Sequence, residues 1–381
     1  MKKEARRVVV ALLVVAVLLS ASFTGCSTGG SSTIKIGGVA PVTGPTATFG
    51  TSAKNAYEMA VEDINAKGGV LGKKIELVFA DDKGDPTEGA TATQKLINQD
   101  KVVAIAGTLT SNVCLAMAPI CQSSGIPMIT PTGTNPKVTL VGNYIFRACF
   151  IDPFQGTVGA NFAYNYLKAR RAGVIYDVAN DYTKGLAENF RDQFSALGGT
   201  IVAFEGHPSG TTDFTPQLTK IIAGKPDVIY CSDYYNDDGL MAKQARGLGY
   251  TGPFVGGDGW DSPDLFTIGG DAVNNSYFTN HFSKDDPRPE VQDFVKRYTA
   301  KYGAAPDGFA TLSYDSIGLI CQAIQNANST DSAKIRDAME KIEYKGVSGT
   351  IKFDANRDPI KPAVIIKIEN GKQVYVTTVN P

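Results

Sequence analysis

The sequence predicts an α/β protein of two doubly wound lobes, each a mainly parallel sheet between two layers of helices. Three observations carry this. Short apolar runs of strand type alternate with helix-type stretches from Ile34 onward, and such alternation winds into parallel sheets covered by helices on both faces. The same grammar starts afresh near residue 170. The chain has 381 residues, too many for one ordinary core and suited to two lobes of ~150–180 residues each.

In the first series, residues 34–39 read as a buried strand. Ala53, Ala56, Tyr57, Ala60, Val61 and Ile64 then fall on one helical face, and Gly68-Gly69 stops that helix. Residues 75–79 form the next strand. In the segment that follows, Asp85 caps a helix, Pro86 suits its first turn and Glu88 completes a capping box. Residues 102–106 and 128–129 are further strands, with a helix over 113–122 between them. In the second series, strands at 174–176, 201–204, 228–231 and 254–255 are separated by helices over 186–197, 214–223 and 240–248. Helices dominate 289–342, and two short strands, 364–368 and 374–378, close the chain.

The N-terminus carries an address. Lys2, Lys3, Arg6 and Arg7 precede an apolar run over 8–19, too short to span a bilayer of about 30 Å. Small residues then lead to Phe23-Thr24-Gly25-Cys26. This is the layout of a secretory signal, expected to occupy residues 1–25. Cys after Thr-Gly resembles the lipobox of bacterial lipoproteins, which implies lipidation of Cys26 and an extracytoplasmic chain anchored to the cell membrane. The Ser/Thr/Gly-rich segment 26–33 is then a flexible tether.

Apolar residues make up 43% of the chain, and no second long apolar run follows the first. Without the signal, Lys+Arg falls from 37 to 33 and Asp+Glu from 38 to 37. A mildly acidic body without a basic cluster argues against nucleic acid as a partner. Cys114, Cys121, Cys149, Cys231 and Cys321 are odd in number and read as buried free thiols. Phosphate-binding loops, nucleophile elbows and paired metal-type histidines are missing from the sequence. His207 and His281 read as loop residues, so neither an enzyme nor a bound cofactor or metal is expected.

Several stretches taken together resemble the type I periplasmic binding proteins of branched-chain amino acid ABC transporters, the leucine/isoleucine/valine-binding group. They are residues 36–45 (IGGVAPVTGP), 63–70 (DINAKGGV), 81–86 (DDKGDP), 127–131 (PMITP), Phe146-Arg147 with Asp152 and Gln155-Gly156, and 244–246 (QAR). The resemblance implies two lobes joined by three crossovers around a closing cleft. Lobe 1 would be 34–152 plus 282–353, and lobe 2 would be 153–281 plus 354–381. It also implies a monomer that delivers its ligand to membrane permease subunits.

The ligand class implied is an amino acid, whose two charges must both find partners when buried. By the resemblance, Ser111 and Thr134 take the carboxylate, beside Leu109 and Thr110 at a helix N-terminus suited to an anion. Thr132 gives its backbone carbonyl to the ammonium. Asp258 is the acidic anchor of the ammonium, where branched-chain binders usually carry Glu. Tyr182 and Tyr234 sandwich the ligand from lobe 2, with Phe49 and Phe309 as walls on lobe 1 and Trp260 close to Asp258. The adjacent Tyr235 could replace Tyr234 by a slip of one. Asp233, Asp237 and Asp238 are expected to face solvent. Gly84 and Thr110 stand where close relatives carry a disulfide, so that staple is missing. An aromatic acid, amide or urea as ligand, or a sensory role, are the alternatives.

Overall fold

The computed structural model describes residues Thr33–Pro381. The expected signal segment, Cys26 and the tether up to Ser32 lie outside the described residues.

Five strands build the first sheet: β1 (Thr33–Ala40), β2 (Lys74–Asp81), β3 (Ala104–Ala106), β4 (Met128–Thr130) and β5 (Ile145–Arg147). All pair in parallel, in the order β2-β1-β3-β4-β5. The second sheet starts with β6 (Arg171–Asp177), β7 (Thr200–His207), β8 (Val228–Cys231), β9 (Phe254–Gly256) and β10 (Ser276–Asn280). A separate hairpin, β11 (Glu343–Gly346) and β12 (Gly349–Lys352), precedes β13 (Ala363–Glu369) and β14 (Lys372–Val379), which return to the second sheet. Its order is β14-β13-β10-β9-β8-β6-β7, with only the two pairings of β13 antiparallel.

The sequence dictates these sheets through burial. Ile34, Ile36, Val39 and Ala40 of β1 are all buried, and so is all of β8, as expected of strands covered on both faces. The helix Ala47–Ala66 buries the predicted face with Ala53, Ala56, Tyr57, Ala60 and Val61. It packs on the helix Gly308–Ala327, whose Leu312, Ile317, Ile320 and Ile324 are fully buried. The chain leaves the first sheet after β5, comes back to its side after β10 as the helix Gly308–Ala327 that packs on Ala47–Ala66 and β3, and returns to the second sheet between β12 and β13. Among the described residues, no helix is long and apolar enough to cross a membrane.

Local expectations meet two corrections here. Asp85 does cap its helix, accepting from the backbone N–H groups of Thr87 and Glu88, with Pro86 in the first turn. The reciprocal half of the capping box is not made, because Glu88 turns to the Lys83 ammonium at 3.0 Å. β5 and β10 were not expected as strands: the first has three residues, and the second, SYFTN, is buried throughout without an apolar run. The five cysteines from Cys114 to Cys321 are free and buried.

Candidate functional site

In open parallel sheets the space for a ligand lies beyond the carboxyl ends of the strands, where the winding reverses. That point falls between β1 and β3 in the first sheet and between β6 and β8 in the second.

On the first sheet, Gly107 leaves β3 with φ +139°, and a Cβ there would meet the Val39 carbonyl oxygen at 2.4 Å. Glycine therefore lets the loop pass against β1. Thr108 donates its hydroxyl to Asp82, whose pKa burial pushes up to about 6. The loop then delivers Ser111 as first residue of the helix Ser111–Ser124, where unpaired N–H groups and the dipole favour an anion. Thr110 occupies the cap position without a side-chain cap bond, and Leu109 is buried in the core. Ser111 Oγ accepts from Asn135 N at 3.2 Å, so its own proton is free to give. Thr132 donates to the Leu109 carbonyl at 2.8 Å and locks the loop after β4 to the loop after β3. The Thr134 hydroxyl is buried close to the Asp152 carboxyl, but makes no well-aligned hydrogen bond among the described residues.

Arg147, fully buried at the end of β5, braces this frame. Its guanidinium donates to the carbonyls of Gly133, Asn135 and Pro136, to Thr139 Oγ1 and to Asp358 on the third crossover. Every acceptor is supplied by the protein, which makes burial of the cation tolerable.

On the second sheet, the turn after β9 carries Asp258, which is 3% exposed. Its Oδ1 accepts from Gln155 Nε2 and Tyr182 OH, each at 2.8 Å, and its Oδ2 accepts from His281 Nε2 at 3.0 Å. A carboxylate offers about four acceptor sites, so one on Oδ2 stays open. Gly257 makes this arrangement possible: a Cβ there would stand 2.5 Å from Tyr182 OH and 2.6 Å from Leu186.

A run of rings joins the two sides. Phe309 stacks on Phe49 at 3.8 Å, Phe49 meets Tyr234 edge-on at 5.9 Å, and Tyr234 stacks on Tyr182 at 5.1 Å. Of the two adjacent tyrosines, Tyr234 is thus the one in the run. Tyr235 also touches Phe49 edge-on, at 5.0 Å, but sends its hydroxyl to the Pro45 carbonyl at 2.9 Å. Trp260 does not join them. It is fully buried, donates its indole N–H to the Cys231 carbonyl at 3.2 Å and covers Gly256.

The lobes are in contact around this space. Asn112 Oδ1 accepts from Asp181 N at 2.8 Å, Asn135 Nδ2 donates to the Asp181 carbonyl at 2.8 Å, and Lys137 pairs with the Asp181 carboxylate at 2.8 Å. On the other flank, Thr48 and Ser262 share a hydrogen bond of 2.9 Å. Asp152, where the chain first crosses, is fully buried with neither oxygen bonded among the described residues. Burial, helped by the charge of Asp258 and opposed by Thr134 and Arg147, pushes its pKa up to about 8.

Two expectations are overturned. Asp233 and Asp238 are buried, not solvated, and Asp237 is partly covered with its pKa pushed up to about 7 by burial. His207 ends β7 instead of lying in a loop and contacts Asp233 Oδ2 at 3.2 Å. Burial opposes its charged form, but the hydrogen bond and charge of Asp233 prevail and raise its pKa. Sequence reasoning missed Gln155 and His281 as supports of Asp258, and Asn112, Asn135 and Asp181 as cross-cleft contacts. Gln155 and Asp152 had signalled themselves only as parts of a matching stretch.

A serine at a helix N-terminus and a buried threonine hydroxyl on one side, a carboxylate on the other and rings between them suit a small zwitterion with an apolar side chain. A family model described as periplasmic binding protein matches residues 33–373. The Leu/Ile/Val-binding protein homolog 3 of Brucella melitensis is 32% identical over 359 residues, which is 93% of this chain and 96% of the relative. The leucine-binding protein LivK of Thermotoga maritima superposes with a TM-score of 0.88 at 39% identity, covering 91% of this chain and 99% of LivK. LivJ of Streptococcus pneumoniae, a branched-chain amino acid transporter substrate-binding protein solved with isoleucine, gives a TM-score of 0.87 at 35% identity, covering 92% of this chain and all of that one. With this architecture and these matches along nearly its whole described length, the chain belongs to the type I periplasmic binding protein family.

Proposed function

We propose that this protein is the extracytoplasmic solute-binding component of an ABC transporter and captures an apolar α-amino acid, of the branched-chain type, by closing its cleft. The observation that supports the reading is the ring run from Phe309 to Tyr182, which links the side of Ser111 and Thr134 to the Asp258 carboxylate that Tyr182 holds. The ligand carboxylate lies at the Ser111 helix end and takes protons from Ser111 and Thr134. The ammonium gives its protons to the Thr132 carbonyl and to the open site on Asp258 Oδ2. Phe49, Phe309, Tyr182 and Tyr234 enclose the side chain, and their burial excludes water from both charges. Closure then follows from differential affinity: ligand bound on lobe 1 gains Asp258 and the two tyrosines only when lobe 2 arrives.

The lobes run over 34–152 with 282–353 and over 153–281 with 354–381. The protein acts as a monomer, held to the membrane by lipid on Cys26, and its closed form is read by permease subunits. Replacing Cys26 with Ala should release it from the membrane fraction, and retention of that variant there overturns the lipid anchor.

The test of the ligand is a thermal-shift screen on protein unfolded and refolded to strip carried-over ligand, with the twenty amino acids, several amides and aromatic acids. A ligand at a thousand times its Kd adds about 4 kcal/mol. Stabilisation by Leu, Ile or Val is the expected result. A response to a non-amine acid or amide alone overturns the amino-acid reading.

A further inference from the structure

A pocket of about 370 Å³ is lined by residues of the second and third crossovers and by none of the four rings of the run. The second crossover contributes His281 and Ser283, the third Ile360 and Lys361, and β13 and β14 contribute Val364 and Thr378. Three features of its wall go unused by the cleft.

Lys361 is 3% exposed. An ammonium has three protons to give, and among the described residues Lys361 has one hydrogen-bond partner, the Ser348 hydroxyl at 2.5 Å. No carboxylate stands within 4.0 Å of it among the described residues. The nearby Asp315 is committed elsewhere, accepting from Val347 N and from the N–H and hydroxyl of Ser348. Asp315 reaches the ammonium only through the Ser348 hydroxyl, which accepts from Lys361 and donates to Asp315, so two of the three ammonium protons stay without a direct acceptor. Burial lowers the Lys361 pKa to about 8, and Arg288, on the same wall, adds to that while Asp315 opposes it.

Arg288 itself is balanced. It pairs with Asp286 at 2.9 Å, lies 3.5 Å from Glu290 and donates to the Val347 carbonyl. Asp286 also lines the pocket, but both its oxygens accept from Arg288. His281 adds a buried Nδ1 with no partner among the described residues, while its Nε2 serves Asp258. Beside these polar groups, Ile360, Pro362 and Val364 give the pocket an aliphatic rim.

We propose that this hinge pocket is a second binding site, for a short aliphatic carboxylate whose head group meets Lys361 and whose hydrocarbon lies on the Ile360–Pro362 rim. The site spans the second and third crossovers, and through His281 it touches the group that holds Asp258. It does not depend on which ligand fills the cleft.

Butyrate is the probe. Saturation-transfer NMR of sodium butyrate, titrated at constant ionic strength, is run on the wild type, Lys361→Met and Ser111→Ala. Ser111 does not line the hinge pocket but belongs to the proposed cleft site, so it separates the two sites. Saturable binding in the wild type and in Ser111→Ala, weakened about tenfold or more in Lys361→Met, is the expected result. Binding lost in Ser111→Ala but kept in Lys361→Met assigns butyrate to the cleft and overturns the proposal. An absence of saturable binding in the wild type overturns it as well. If Lys361→Met does not fold, the Lys361 ammonium is followed by NMR in the wild type. Butyrate must then shift its titration to higher pH, and a titration that does not move rejects the site.

Discussion

Replacing Asp258 with Asn changes one heavy atom at the centre of the cleft, and its cost can be worked from the contacts. Gln155, Tyr182 and His281 fill three of about four acceptor sites on the carboxylate. In the proposed complex the ammonium takes the fourth. With Asn, the Oδ1 side is kept, since an amide oxygen still accepts from Gln155 and Tyr182. On the other side an NH2 group faces both His281 Nε2 and the ammonium, donor against donor, and the negative charge is gone. Breaking a buried charge pair by removing one partner costs about 3–5 kcal/mol. The site's remaining polar groups can relax, so we expect about 2–4 kcal/mol, a thirty- to thousand-fold rise in Kd. Isothermal titration with leucine on stripped protein measures it, with a thermal melt to verify folding. The companion ligand is 4-methylpentanoate, which is leucine without its amino group. The substitution must weaken leucine far more than the deamino acid, because the coupling energy of that cycle isolates the ammonium contact. A leucine Kd within about threefold of wild type, or an equal loss for both ligands, refutes Asp258 as the anchor.

Gly257→Ala pushes a methyl to 2.5 Å from Tyr182 OH and 2.6 Å from Leu186. Overpacking of this kind costs about 1–3 kcal/mol, and calorimetry and titration should show a lowered Tm together with an affinity loss of about tenfold or more; adding Tyr182→Phe relieves one of the two clashes, so Tm recovers only in part and affinity does not. Asp152 carries a pKa raised from 3.8 to about 8, so the folded chain binds a proton that the unfolded chain has released. Its contribution to stability is therefore full below about pH 4 and is lost as pH rises through 8. In urea titrations Asp152→Asn should match wild type near pH 4 and exceed it by about 1–3 kcal/mol near pH 9; a gain independent of pH would sink this assignment. Removing the Asn112 and Asn135 side chains together deletes the bonds to Asp181. Stopped-flow binding should show ligand dissociation faster by about three- to thirtyfold with a nearly unchanged association rate, whereas a change confined to association would mean these contacts do not hold the cleft shut.

Much of the fold was legible because buried parallel strands and amphipathic helices write themselves into local pattern. β8 lies at the predicted 228–231, and the helix Thr215–Ala223 differs from expectation by one residue. β5 and β10 were hidden because three residues, or a polar but buried SYFTN, carry no periodicity. The site was legible in part, since loops after strands are where the winding rule directs attention. Its support was not: Gln155 lies 103 residues from Asp258, and no local signal spans that distance. Trp260 packs on Gly256 apart from the ring run, because it stands two residues from Asp258 on a short 3₁₀ turn, and residues two apart on such a turn do not share a face. The run Asp233, Asp237, Asp238 looked solvated because charge normally marks a surface. Here Asp233 is drawn inward by His207.

Arg147 divides the work of the cleft. It grips the backbone that carries Thr132 and Thr134 and ties it to the third crossover through Asp358, while none of the four rings in the run takes part in that grip. Under the amino-acid reading, the invariant half of every ligand is met by a welded frame, and the variable half by rings of which only Tyr182 has a further duty, its bond to Asp258. Such an arrangement can drift. Exchanging Phe49, Phe309 or Tyr234 retunes the chemistry that is welcomed without disturbing the machinery that closes. A lineage built this way can follow changing nutrients by altering a few rings, and a designer can do the same.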